Sequence, residues 1–242
     1  MNSKRIALIT GANKGIGLQV SRELALLGHT VLIGARSKAL GTEVETKFTE
    51  EGLRAVFVPI DVTDHNTIEA TASLIGERFG RLDVLINNAG IALDAGTPPS
   101  QVSMEALRKT FETNVFGAFA VLQTMLPLLR KSEAGRVVNM SSGLGSLTHN
   151  SDPNYEFAHV KLLAYNASKT TINAFTVQLA YELKNTSIKV NSADPGFTAT
   201  DLNNHSGTRT VEQAARIVVR LATLPESGPT GGFFDENGKV PW

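Results

Sequence analysis

Short apolar runs alternate with helix-periodic segments along the whole chain, and that alternation leaves few folds open. The runs are Ile6 to Thr10, Thr30 to Ala35, Ala55 to Ile60, Leu82 to Ile86, Arg136 to Met140, Ser187 to Ala193 and Gly231 to Asp235. Between the early runs, apolar residues return every three or four positions. Ile16, Val20, Leu24 and Leu27 form one such face; Leu40, Val44 and Phe48 a second; Ile68, Ala72, Ile75 and Phe79 a third. Gly28, Gly52 and Gly80 stand where these helices would stop, and Asp64 and Thr210 stand where helices would be N-capped. Strands separated by helices build βαβ units and a parallel sheet. The expectation is one α/β domain over residues 1–242, doubly wound, with about seven strands and helices on both faces. A long helix is expected from about Met104 to Leu129, interrupted at Pro127, and loop from Ser146 to about Tyr155.

Composition removes several classes of function. A chain of 242 residues can bury a core large enough to need no staples. It has no cysteine, which excludes disulfides and thiolate chemistry. Lys plus Arg and Asp plus Glu are 23 each, so no overall basic field points to nucleic acid or to an anionic membrane. The first apolar run is too short for a signal peptide, and no window reaches the ~18 apolar residues of a membrane span. None of the five His has ligand spacing with another, so no metal is expected. Cytoplasmic location is the expectation.

Two stretches carry chemistry. The first joins the opening strand to the opening helix and holds Gly11, Asn13, Lys14, Gly15, Ile16 and Gly17. Glycines there allow tight turning and close approach of backbone to a pyrophosphate, and a helix N-terminus favours anions. The second strand ends in Gly34-Ala35-Arg36, with no acid to bind ribose hydroxyls. Arg36 and Lys14 suit a 2′-phosphate, which favours NADP over NAD. Asp61, beside Val62, either accepts a hydrogen bond from the adenine amino group or caps the turn before Asp64. The second stretch is Tyr165-Asn166-Ala167-Ser168-Lys169, inside an apolar-periodic run from about Leu162 to Leu183. Tyr165 and Lys169 share one helix face. A cation about 5 Å from a phenol, at an effective dielectric of about 20, favours the phenolate by roughly 3 kcal/mol, while burial opposes it. A lowered Tyr165 pKa is expected.

T-G-A-N-K-G-I-G (Thr10–Gly17), N-N-A-G (Asn87–Gly90), Asn114, S-S (Ser141–Ser142), Tyr165-x-x-x-Lys169 and Pro195-Gly196 occur in that order. Together they resemble the short-chain dehydrogenase/reductase superfamily, over nearly the whole chain. The first motif, Arg36 and the ending Thr230-Gly231-Gly232-Phe233-Phe234 most resemble NADPH-dependent carbonyl reductases. The resemblance implies a Rossmann-type domain that binds NADP(H) and reduces ketones or aldehydes. It implies Tyr165 as general acid, Ser142 (with Ser141 its rival) orienting the carbonyl oxygen, and Lys169 lowering the Tyr165 pKa and binding the nicotinamide ribose. Asn114 would hold a water that relays protons. Asn88, Ala89 and Gly90 would line the adenosine and ribose side, and Pro195, Gly196 and Thr198 would cover the nicotinamide.

One departure stands out. Ser142 and Tyr165 are 23 positions apart, further than in many relatives, so extra residues fall within Ser146 to Lys161. Relatives commonly pair through the long helix and the Tyr165 helix, so a homodimer is expected unless this insertion obstructs that face. The substrate pocket is expected between the Ile91–Gln101 loop, the insertion, and a polar, mobile lid at residues 197–209. Leu93, Leu144, Phe157 and Phe197 point to a hydrophobic carbonyl compound. Alternatives are an NAD-linked alcohol dehydrogenase and a non-catalytic NADP-sensing regulator. The regulator reading is weakened because Tyr165 and Lys169 are both present.

Overall fold

A computed structural model describes residues 4–242. Its centre is a parallel sheet of seven strands: β1 (Ile6–Thr10), β2 (Thr30–Ala35), β3 (Ala55–Pro59), β4 (Val84–Asn87), β5 (Arg136–Met140), β6 (Lys189–Ala193) and β7 (Phe233–Phe234). Their order is β3-β2-β1-β4-β5-β6-β7. The winding therefore reverses between β1 and β4, and in open sheets of this kind ligands bind in the crevice at that switch point.

The strands read as continuous apolar runs because both faces are covered. Ile6 and Leu8 turn to one side, where α3 (His65–Phe79), α5 (Ala118–Leu129) and α7 (Leu163–Glu182) supply Ile75, Met125 and Ala180. Ala7 and Ile9 turn to the other, against Leu24 of α1 (Gly15–Leu26), Phe48 of α2 (Lys38–Glu50) and Val218 of α8 (Val211–Ala222). The doubly wound expectation therefore holds. So do the caps: Asp64 accepts from Asn66 N, and Thr210 forms a capping box with Gln213.

Three local expectations change. The long helix is not broken at Pro127, which lies inside α5. It is broken earlier, by a π turn at Glu112–Gly117 between α4 (Met104–Phe111) and α5. There the helix is gripped from two sides: Asn114 bonds to Ile91, and a side chain on Gly117 would come within 2.7 Å of the Val62 carbonyl. The stretch after Ser146 is not all loop. Ser146 caps a single-turn helix, α6 (Leu147–Ser151), too short to leave a periodic pattern. The last strand has only two residues. Trp242 is docked: its ring stacks on Phe233 at 5.7 Å and its carbonyl accepts from Thr148 N at 3.0 Å.

A buried polar ladder crosses the sheet beneath the switch point. Asn87 Nδ2 donates to Asn139 Oδ1, Asn139 Nδ2 donates to Thr176 Oγ1, and the Thr176 and Ser192 hydroxyls are hydrogen-bonded to each other, each at 2.9 Å. Asn139 is the central rung, 3 % exposed. Asn139→Ala strands the buried Asn87 amide donor and removes the link to Thr176. It should cost roughly 2–4 kcal/mol of stability, read as a lower urea midpoint at an unchanged slope.

Candidate active site

The glycine turn is shaped by contact as well as by backbone freedom. Gly11 and Gly15 have φ of 65° and 56°, where side chains are strained. Gly17 is required by packing: a side chain there would lie 2.5 Å from Asn88 Nδ2 and 2.7 Å from the Gly11 carbonyl. Asn88 is the strut of this crossing. Its amide donates to Thr10 O at 2.8 Å and Gly11 O at 3.2 Å, and the backbone N–H groups of Asn88 and Ala89 both donate to Thr10 Oγ1 at 3.0 Å. Both Asn88 amide hydrogens are thus spent on the turn. Helix α1 starts at Gly15 with no side-chain cap from Lys14. Its first N–H groups are free to meet an anion, which is the fit a dinucleotide pyrophosphate needs.

The surrounding cofactor candidates divide into free and engaged. Arg36 is exposed just past β2 and makes no ion pair among the described residues. Lys14 pairs with Asp201 at 2.6 Å, both well exposed, a contact that water and ions exchange readily. Asp61 Oδ1 accepts from Thr63 N at 2.9 Å and Thr63 Oγ1 at 2.8 Å, so that oxygen serves the turn. Val62 is buried against Gly117. Asn13 and Ile16 are half-buried in the turn and first helical residues.

At the other side of the switch point, α7 carries Tyr165 and Lys169 one turn apart. Lys169 is 5 % exposed, donates to Met140 O at 2.8 Å, and sits 5.4 Å from the Tyr165 ring centre. A side chain on Gly90 would lie 3.5 Å from Lys169 Nζ and 3.4 Å from Asn114 Oδ1, so the bare glycine opens a space beside both. Burial lowers the Lys169 pKa from 10.5 to about 8. The Tyr165 pKa moves opposite to the expectation. Its ring is half-buried but its hydroxyl is enclosed; burial raises it, the Asp194 carboxyl raises it further, and only Ser142 acts to lower it. The Lys169 ammonium is directed at the Met140 carbonyl, and desolvation outweighs it.

Ser142, whose hydroxyl faces the phenol, is half-buried and accepts from Leu144 N at 3.2 Å. Ser141 is 2 % exposed and turned toward the Lys169 carbonyl, so of the pair only Ser142 reaches the site. Asn114 is buried where the π turn faces the loop after β4. Its side chain exchanges bonds with Ile91, at 2.8 and 2.9 Å, and donates to Ser168 Oγ at 3.0 Å. It holds the loop after β4 to α7, and both amide hydrogens are engaged in doing so.

Gly196 turns with φ of 74°, and Thr198, buried, donates to Gly196 O at 3.1 Å behind Pro195. Residues 197–209 are a folded loop with a hydrogen-bonded neck: Ala199 N donates to Arg209 O and Arg209 N to Phe197 O, each at 2.9 Å. The insertion reaches it through a row of rings, with His149 on Tyr155 at 4.3 Å, Tyr155 on Phe157 at 5.8 Å and Phe157 on Phe197 at 5.8 Å. Leu93 is exposed and Leu144 half-buried. Sequence reasoning missed Asp94. It is 1 % exposed, and its Oδ2 accepts from Ala164 N at 2.7 Å. It thereby caps α7 from a distance, because Leu162 at the N-cap has no side-chain oxygen. The only signal was that lack of a local cap. Among the described residues no group of three or more His, Asp or Glu converges as a metal site, and no helix is long and apolar enough to cross a membrane.

A family model described as short chain dehydrogenase matches residues 5–210. The chain belongs to the short-chain dehydrogenase family. The short-chain dehydrogenase anuI of Penicillium roqueforti (strain FM164) is 38% identical over 228 residues, covering 91% of this chain and 89% of its own. The (-)-isopiperitenone reductase of Mentha piperita is 31% identical, with 96% of each chain covered. Among solved structures, NADPH-bound carbonyl reductase from chicken fatty liver matches with a TM-score of 0.86 at 28% identity, over 99% of both chains. Salutaridine reductase from Papaver somniferum matches at 0.83 and 28%, over 96% of this chain and 100% of its own. As a short-chain dehydrogenase the protein is an oxidoreductase acting on carbonyl or alcohol groups.

The buried lysine of this short-chain dehydrogenase makes stability depend on pH with a definite sign. Folded Lys169 loses its proton near about 8, against 10.5 unfolded. Between those values the unfolded chain binds more protons, so this group's contribution rises with pH. Tyr165 acts in the opposite sense, but only above about 10. The melting temperature of wild type minus that of Lys169→Met, measured without cofactor, should move in favour of wild type from pH 8 to 10. A flat difference would mean the ammonium is not desolvated.

Proposed function

We propose that the protein reduces hydrophobic ketones or aldehydes to alcohols with NADPH. The observation that carries this is the facing pair of hydroxyls, Ser142 and Tyr165, at the carboxyl edge of the sheet with the Lys169 ammonium one helical turn away. Bound NADPH supplies the hydride. Ser142 donates a hydrogen bond to the carbonyl oxygen and fixes its direction. Tyr165, held protonated by burial and by Asp194, gives its proton to the same oxygen as negative charge develops there. Lys169, with its pKa lowered to about 8, is able to restore a proton near neutrality and to bind the nicotinamide ribose beside Gly90.

For the cofactor, the unpaired Arg36 past β2 is the residue assigned to the 2′-phosphate, with Lys14 joining it by exchange from Asp201. The free oxygen of Asp61 is assigned to the adenine amino group. Ala89 and Gly90 line the adenosine and ribose side, with Asn88 supporting them, and Pro195, Gly196 and Thr198 cover the nicotinamide. The names of two similar proteins, a carbonyl reductase of Bos taurus and the chicken enzyme, specify NADPH, which supports this reading. The hydrophobic substrate is read from Leu93, Phe157 and Phe197 in the surrounding walls, with residues 197–209 acting as the lid. Phe116, Phe119, Val177 and Tyr181 remain exposed on the outer faces of the π turn, α5 and α7, and a homodimer through those faces is part of the proposal.

NADPH consumption on aromatic and aliphatic ketones tests it. Tyr165→Phe should lower turnover by about 10²–10⁴-fold. Arg36→Asp should shift the NADPH-to-NADH preference by ~10-fold or more toward NADH. Binding of NADPH with no turnover on any ketone or aldehyde would refute the reading.

A further inference from the structure

Beside Ser142 and Tyr165 lies a second group of polar atoms that carbonyl reduction does not use. Gly143 follows Ser142 directly, and the space over its α-carbon is filled by two side chains from distant segments. A side chain on Gly143 would lie 2.9 Å from Asp194 Oδ2 and would collide with Tyr155 Oη. Asp194 follows β6; its Oδ1 accepts from Gly196 N at 2.9 Å, and its carboxyl also takes the Gly143 N–H. Tyr155 comes from the insertion, and its ring is fixed between His149 and Phe157.

Neither reaching atom has a side-chain partner. Tyr155 Oη and Asp194 Oδ2 make no side-chain hydrogen bond among the described residues, and the two do not bond to each other. Neither Lys nor Arg acts on Asp194; the charged groups that do are Asp235 and His149. The result is a fixed donor and a fixed acceptor, side by side, one residue along from the serine that meets the reacting oxygen. A hydroxyl group satisfies both at once, because it donates and accepts. A ketone oxygen would leave the acceptor unmet, and an ammonium would leave the phenol proton unmet.

We propose that Tyr155 and Asp194 form a second subsite that binds a hydroxyl on the substrate, close to the carbonyl being reduced. The inference rests on the reductase reading above and narrows it to hydroxy ketones. Consecutive α-carbons are about 3.8 Å apart, so a hydroxyl held by the two groups packed on Gly143 belongs on the carbon next to the carbonyl or one further. The rings of Phe157 and Phe197 then take the apolar remainder. Burial and the nearby Asp194 raise the Tyr155 pKa to about 12, which keeps that phenol a donor through the working range of pH.

The test is a matched series: acetophenone, 2-methoxyacetophenone and 2-hydroxyacetophenone, each with NADPH. The methoxy compound has an oxygen on the same carbon but no proton to give to Asp194, so it separates recognition from activation of the carbonyl. Wild type should favour the hydroxy over the methoxy ketone by ~10-fold or more in kcat/KM. Tyr155→Phe and Asp194→Asn should each collapse that ratio toward one. Asp194 also ties two turns together, so Tyr155→Phe decides the matter if Asp194→Asn folds poorly. Equal rates on the hydroxy and methoxy ketones in wild type, or an unchanged ratio in Tyr155→Phe, overturn the subsite and leave the reductase standing. No turnover of any of the three, with NADPH bound, overturns both.

Discussion

Placing an ammonium inside the protein is the constraint around which the rest of the site is arranged. Lys169 is almost fully enclosed and has, among the described residues, one protein acceptor, the Met140 carbonyl. An ammonium has three protons to give, so a single carbonyl leaves it short, and burial lowers its pKa. What keeps it in place is the pressure of the segment after β5 on α7. A side chain on Gly145 would stand 2.8 Å from Lys169 Cβ and 2.9 Å from its carbonyl carbon, and Ser141 Oγ faces the Lys169 carbonyl at 3.5 Å. The glycine is what allows this approach. Gly90 lies beside the ammonium, where a ribose hydroxyl is assigned in the proposal.

Much of this was legible in the chain. Strands buried on both faces leave unbroken apolar runs, and helices leave a repeat of three to four, so the doubly wound sheet follows from pattern alone. The caps at Asp64 and Thr210 were legible because a cap and the N–H it accepts are close in sequence. The motifs named the site residues but not which of their atoms are already committed. Asn88 and Asn114 are where the motifs place them, yet the Asn88 amide is spent on backbone and the Asn114 amide on Ile91 and the Ser168 hydroxyl. The π turn adds one residue to a single turn, too small a change of phase to read in a helix this apolar. The direction of the Tyr165 pKa depends on how much water the hydroxyl loses and on Asp194, 29 positions away; a Tyr-x-x-x-Lys spacing contains neither quantity.

The segment between Ser142 and Tyr165 is built into the fold. Ser146 caps its helix, Asn150 Nδ2 donates to Leu144 O at 2.6 Å, and Lys161 Nζ donates to Asn150 O at 2.7 Å. Its rings then meet Phe197, so the insertion and residues 197–209 form a continuous wall. An aromatic contact of this kind contributes about 0.5–1.5 kcal/mol beyond its buried area. Several in series make the wall a shared property of two segments that the sequence separates.

The hydrogen bonds around the site have an unusual reach along the chain. Lys14 to Asp201 spans 187 positions, Thr148 to Trp242 spans 94, and Asp94 to Ala164 spans 70. The consequence is that the site cannot be divided. The three strands β1, β2 and β3 neighbour one another in order and can pair locally, whereas the catalytic edge exists only once segments from every quarter of the polypeptide have met. Contacts of such separation form late and slowly, because loop closure is costly before they reward it. No excised fragment could therefore retain the chemistry, even one that kept Tyr165 and Lys169 on an intact helix.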